Sequence, residues 1–473
     1  MSTAPGDVLT RVDAGVGGLI ENATRWHHAR RLARHGWSRA LSGDGGGWSS
    51  GGTAPRDGNR VEVSIDGASA LPMIAAAVRS ARTSVHVAGW AVSPHFAMER
   101  GTTVVTLRDL LAEAAERVEV RVLVWAGAPV PLFHPTRAEA SRALADLVTR
   151  TRIRGALDRR NRPMHCHHEK LVIIDGSLAF VGGIDLTDLG GDRYDAPLHD
   201  DGGTLGWHDA AAALTGPAVA DVAAHFALRW EATTGERLAP VEPPAPAGDS
   251  RVQVVRTVPE HTYPRLAGGD FSVLDAYTGA LRRAQRLIYL ENQFLWSAEI
   301  VAVLCEKLLH PPTAEFRICV VLPMRPNNGN DDTRGQLGVL MDADRHGRLL
   351  AGTIGPPGRD RPRVYVHAKI GVVDDAWLTI GSANLNEHSL FNDTEVNLVS
   401  DDAALARVVR EQLWSEHLAH DCAGLDPLGV IEERWRPALS NGATSAVPLR
   451  RLPSTSRRSA RLRGPLTGLF VDG

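Results

Sequence analysis

Two short stretches of this sequence carry the same chemically active residues at the same spacing. The first, HHEKLVIIDGSLAFVGGIDL (167–186), holds His168, Lys170 and Asp175. The second, VHAKIGVVDDAWLTIGSANLN (366–386), holds His367, Lys369 and Asp374. In each, His-x-Lys is followed after four residues by Asp, and after six more by Gly-Gly or Gly-Ser. A lone His-x-Lys carries no information, but two matched copies do. Two imidazoles and two ammonium groups brought to one place make a phosphodiester site. The lysines hold the non-bridging oxygens as compact charges. One neutral imidazole attacks phosphorus and forms a covalent phosphoenzyme. The other, protonated, donates to the leaving alkoxide and then activates water or an alcohol. His168, His367, Lys170, Lys369, Asp175 and Asp374 are therefore the candidate catalytic residues. Asn384 and Ser382 offer neutral hydrogen bonds to substrate. Gly183 leaves room for a ligand to approach the backbone.

Each imidazole also needs a carboxylate on its far nitrogen. Glu395, 28 residues after His367, is one candidate. Asp195, 27 residues after His168, is its counterpart by position, with Asp200 a rival. The lysines already supply positive charge, so the expectation is no metal and no cofactor. The run His165-Cys166-His167-His168 invites a zinc reading, but nothing else near it in sequence has ligand spacing.

The chain uses lysine sparingly. Of its 52 basic residues only Lys170, Lys307 and Lys369 are lysine. Two of the three stand in the two motifs, as expected of a site that needs an ammonium rather than a planar guanidinium.

Strands must position these residues. In a strand, i and i+2 face the same side, so each His projects with its Lys. The apolar runs after the lysines suit strands buried on both faces. Asp-Gly and Asp-Asp then mark turns into returning strands. Beyond the motifs, the two parts of the chain repeat each other. AAVRSARTSVHVAGW (76–90) aligns without gaps on GALRRAQRLIYLENQ (279–293), each a helix running into a buried strand. Alternating strand and helix patterns predict an α/β class, with two repeated α/β sandwich halves packed as one pseudo-twofold body and the site at their seam.

The expected division follows from composition breaks. Residues 1–58 form an N-terminal extension that ends in a flexible Gly-rich linker (43–52). Residues 59–237 form the first half, 238–250 a Pro-rich connector and 251–425 the second half. Residues 426–473 form a mobile basic tail. The extension reads as a helix packed on the body with its arginines in solvent, against a rival reading as a basic amphipathic helix on a membrane.

The 473 residues carry a formal net charge of -3, which argues against a nucleic-acid-binding protein. Four scattered cysteines form no disulfide or zinc-ribbon pattern. Neither a signal peptide nor an 18-residue apolar run is evident. The expected product is a cytoplasmic monomer with access to a membrane surface.

The duplicated motif resembles the signature of the phospholipase D superfamily. Further segments resemble its eukaryotic-type branch: GGIDLTD and DRYD (182–195), WHD (207–209), VQVVRT (252–257) and ENQFL (291–295). The resemblance covers roughly residues 60–420. It implies a phosphoric diester hydrolase that converts glycerophospholipids to phosphatidic acid, with transfer to alcohols. His168 would be the nucleophile, and His367 the general acid and base. Lys170, Lys369 and Asn384 would bind phosphate, and Asp175 and Asp374 would stabilise the surrounding fold. The alternatives are a cardiolipin-synthase-like phosphatidyltransferase, a nuclease and a non-catalytic lipid binder. Glu387-His388-Ser389 departs from the family pattern, which often has Arg before the Ser.

Overall fold

The apolar run after each motif lysine folds as a buried strand. Lys170–Ile174 and Lys369–Val373 are buried at every position. Each returns through its Asp turn into an antiparallel partner, Leu178–Gly182 or Trp377–Gly381. β-branched residues make up nearly half of these strands and suit a pleat covered on both sides. The computed structural model describes residues 5–131, 133–191, 206–327, 330–356, 364–440 and 446–452.

The two halves lay out their strands in the same order. From the middle outwards, the first half runs Arg56–Ile65, Ala210–Thr215, Leu178–Gly182, Lys170–Ile174, Ser84–Gly89, Glu119–Trp125 and Arg154–Asp158. The second runs Ser250–Val258, Glu395–Ser400, Trp377–Gly381, Lys369–Val373, Leu287–Asn292, Arg317–Val321 and Leu349–Ile354. In each half the last two pairings are parallel and the others antiparallel. The halves join where Arg56 pairs with Val252, so both sheets belong to one 16-stranded sheet. Helices Gly67–Ser80 and Ser272–Arg283 precede equivalent strands, as the internal alignment requires. Each half has its own helix-side core, and a third core runs between them.

The motif aspartates fix the helix-to-strand joints. Asp175 accepts hydrogen bonds from the backbone N–H groups of Arg82, Thr83 and Ser84. Asp374 accepts from those of Gln285, Arg286 and Leu287. Both lie at the strand end opposite the His, so their place among the catalytic candidates is corrected: they satisfy backbone donors.

Three expectations about the flanking segments are also corrected. Residues 43–52 are not a loose linker. Ser49 Oγ donates to Asp275 Oδ2 at 2.8 Å, and Gly47 O accepts from Trp377 Nε1 at 2.9 Å. The N-terminal helix, Pro5–Arg34, does not leave all its arginines in solvent. Arg31 is buried and forks onto Glu260 (2.8–3.1 Å), while His28 stacks on Phe391 at 3.8 Å. Nor is residue 426 the start of a tail. Leu449–Arg451 adds an antiparallel strand beside Leu349–Ile354, and Trp435 is buried. The basic residues from Arg457 onward lie outside the described residues.

Candidate active site

Each motif histidine enters its strand beside a backbone segment from the other half. His168 N donates to Thr394 O at 2.9 Å, one residue before Glu395. His367 N donates to His208 O at 2.8 Å, one residue before Asp209. This exchange brings each imidazole to a carboxylate of the opposite repeat. His168 Nδ1 lies 2.9 Å from Glu395 Oε1, and His367 Nδ1 lies 2.5 Å from Asp209 Oδ2. The two rings stand edge to face with centroids 6.5 Å apart.

Glu395 thus serves the first His rather than the one in its own repeat. The proposed partner Asp195, like its rival Asp200, lies outside the described residues, and Asp209 occupies the orienting place beside His367. Counting from the His misses Asp209 because the two repeats differ in length there. Glu395 follows Gly381 by 14 residues, and Asp209 follows Gly182 by 27. Strand register recovers the equivalence. Asn397 pairs with Gly381 and Ala211 with Gly182, and each carboxylate stands two residues before that partner.

Gly183 and Ser382 pack against the orienting carboxylates, and Gly381 packs against Asn397. A Cβ on Gly183 would sit 2.1 Å from Asp209 Oδ1, and one on Gly381 would sit 2.3 Å from Asn397 Oδ1. Ser382 is fully buried and its hydroxyl donates to Glu395 Oε2. The substrate-binding assignments of Gly183 and Ser382 are therefore corrected. Ser389 Oγ also donates to Glu395, at 2.5 Å.

Both lysines are buried. Lys170 and Lys369 each donate to the backbone oxygen of the His two residues earlier. Lys369 Nζ also reaches Gln293 Oε1 at 3.1 Å, which accepts from Asn384 Nδ2 at 3.3 Å. Lys170 Nζ stands 3.9 Å from Asp185 Oδ2. The two repeats therefore differ: a carboxylate faces one lysine, whereas amides face the other. Gln293 and Asp185 went unassigned as site residues, although ENQFL and GGID contain them. Their signal is position, since Asp185 and Asn384 are third after equivalent motif glycines.

Burial dominates the electrostatics of the orienting carboxylates. Removal from water pushes Asp209 up to about 6, against the pull of Lys369 and the Ala210 N–H. Burial also raises Glu395 well above the ordinary carboxylate range, although Lys170, Ser382 and Ser389 favour its ionised form. Trp207 packs on His367, with ring centroids 4.3 Å apart.

Two buried ion networks lie at the seam, one within the first half that Tyr263 and Thr394 of the second half join by hydrogen bonds and one that crosses it. On one side Arg229 bridges Asp158 and Glu169, while His167 and His225 contact the same two carboxylates. On the other, His208 spans Asp66 and Glu291, and His417 joins Glu291. Buried charges persist only when paired in this way.

Comparison with known proteins agrees with this duplicated plan. Residues 77–206 match the family model described as Phospholipase D. Residues 280–416 match that described as Cardiolipin synthase, PLD-like domain. Phospholipase D1 of Schizosaccharomyces pombe is 24% identical over 79% of this chain and 36% of its own length. Phospholipase D alpha 4 of Arabidopsis thaliana is 25% identical over 72% of this chain and 62% of its own length. The aligned region thus spans about a third of the first relative and under two thirds of the second. The crystal structure of phosphatidylserine synthase of Haemophilus influenzae shares the fold, with a TM-score of 0.52 at 15% identity over 75% of this chain and 85% of that one. No helix among the described residues is long and apolar enough to cross a membrane. With one such domain in each repeat and the repeated α/β architecture around them, the chain belongs to the phospholipase D superfamily.

Proposed function

We propose that this chain is a phosphodiesterase that cleaves the headgroup ester of glycerophospholipids through a phosphohistidine. The observation that carries the proposal is the crossed pair of His–carboxylate couples, with their rings 6.5 Å apart. In this reading Glu395 accepts the Nδ1 proton of His168 and leaves the Nε2 lone pair for attack. The P–Nε2 bond forms as the P–O bond to the headgroup breaks. Protonated His367 gives its proton to the departing oxygen, and Asp209 compensates the ring's charge. Lys170, Lys369 and Asn384 hold the non-bridging oxygens. His367 then takes a proton from water or an alcohol, which attacks phosphorus and releases His168. The products are phosphatidic acid or a phosphatidylalcohol.

The exposed Leu19 and Trp26 of the first helix, with Arg30 stacked 4.5 Å over Trp26, support docking on a bilayer surface. Incubation with phosphatidylcholine vesicles and a primary alcohol tests the reaction. Phosphatidic acid together with a phosphatidylalcohol is expected. Cleavage of DNA with no lipid product would overturn the reading.

A further inference from the structure

Outside the phosphate site, three ligand-type side chains, two buried and one partly buried, meet across the seam. His165 comes from the first half, and His388 and Asp393 come from the second. His165 Nδ1 lies 3.0 Å from His388 Nδ1 and 3.5 Å from Asp393 Oδ1. In sequence His165 is more than 200 residues from the other two, which is why its His-rich run looks incomplete as a ligand set.

We propose that His165, His388 and Asp393 form a divalent transition-metal site of the zinc class that clasps the two halves together. Two imidazoles and one carboxylate are the donor set such ions prefer. At a metal–nitrogen distance of about 2.0–2.1 Å, neighbouring ligands of a tetrahedral ion stand about 3.3 Å apart. The observed separations of 3.0 and 3.5 Å bracket that edge.

A single proton shared by the two rings accounts for less. It would occupy one nitrogen–nitrogen contact and leave Asp393 Oδ2 without a hydrogen bond, since Cys166 N reaches only Oδ1. Asp393 Oδ2 is fully buried and has no hydrogen-bond partner among the described residues. A cation would use both ring lone pairs and this carboxylate at once.

The surroundings are built as a metal site requires. Cys166 N donates to Asp393 Oδ1 at 2.8 Å and fixes the carboxylate plane. Asp393 N donates to His388 O at 2.8 Å and closes the wide helical turn His388–Asn392, which sets the spacing of those two ligands. Residues 388 and 393 also flank the chemistry. Ser389 follows one ligand, Glu395 lies two residues beyond the other, and both touch the His168 couple. The ion would stiffen that shelf without taking part in phosphoryl transfer.

The test uses tag-free full-length protein, stripped with chelator and titrated with cobalt(II) while visible absorption and melting temperature are followed. One saturable equivalent with d–d bands is expected, with a melting-temperature rise of about 3 °C at a hundredfold excess over Kd. Asp393→Asn and His388→Gln should lose both the bands and the rise. His165→Gln, which alters the most exposed of the three ligands, should lose them too and guards against a folding failure in the others. His168→Ala should keep the bands, so this result stands apart from the proposed phosphodiesterase activity. No saturable band in the unaltered protein, or bands that survive all three ligand substitutions, would overturn the site.

Discussion

The two repeats supply the same histidine with different support. His168 faces a glutamate that also takes two hydroxyl donors, from Ser382 and Ser389. His367 faces an aspartate that takes the Ala210 N–H, and its own ring packs on Trp207. The lysines differ as well, one near Asp185 and the other near Gln293 and Asn384. Duplication provides two imidazoles, and the differences around them allow two roles. A glutamate held by three donors suits a ring that must keep one tautomer with a free Nε2 lone pair. Burial raises the proton affinity of both carboxyls, Asp209 to about 6, so it is their differing hydrogen-bond partners that separate the two rings.

The largest expected effect is at His168. His168→Ala should lower kcat by about 10⁴-fold or more in a lipid-release assay, because the proposed covalent bond forms on its Nε2. Next come the orienting carboxylates. Glu395→Gln and Asp209→Asn should each cost about 10²–10⁴-fold, by analogy with loss of the orienting group in a catalytic triad. The asymmetry predicts that a p-nitrophenyl leaving group, which needs no proton, restores the first-turnover burst of Asp209→Asn but not that of Glu395→Gln. Equal rescue of both would erase the distinction between the repeats.

A smaller effect follows from the raised Asp209. Activity should fall as pH drops through about 6, and a pH–rate profile of Asp209→Asn should lack that limb. The sign for stability is opposite. A raised carboxyl favours the folded state below its unfolded value, and that contribution is lost as pH rises through about 6. The smallest catalytic effect is expected at Asp175→Asn and Asp374→Asn. Each should destabilise by about 1–3 kcal/mol in denaturant titration and leave kcat of the folded protein nearly unchanged. Backbone donors hold Asp175 below its ordinary value against the effect of burial. Its contribution is therefore present above the unfolded value near 4 and lost as pH falls through the folded one.

Much of this plan was legible in the sequence, because strand periodicity places His168 beside Lys170 and His367 beside Lys369 whatever the tertiary detail. The repeat of 76–90 in 279–293 likewise foretold equivalent helix–strand units. What escaped was what crosses between repeats. Asp209 was hidden by a longer connection, and Glu395 was matched to the wrong imidazole because spacing within one repeat cannot register contact with the other. Ser382 and Gly183 were read as ligand contacts. Their small size instead serves buried carboxylates, a packing fact that composition does not encode. The Gly-rich stretch at 43–52 looked like a linker because nothing local reveals that Trp377 and Asp275 bind it.

The most direct test of the division of labour is to trap the intermediate. His367→Ala mixed with a phosphatidyl-p-nitrophenol substrate and quenched early should show a phosphatidyl adduct by intact mass, which peptide mapping places on His168. An adduct on another residue, or steady turnover with no adduct at any time, would contradict the assignment of His168 as nucleophile and His367 as its acid and base.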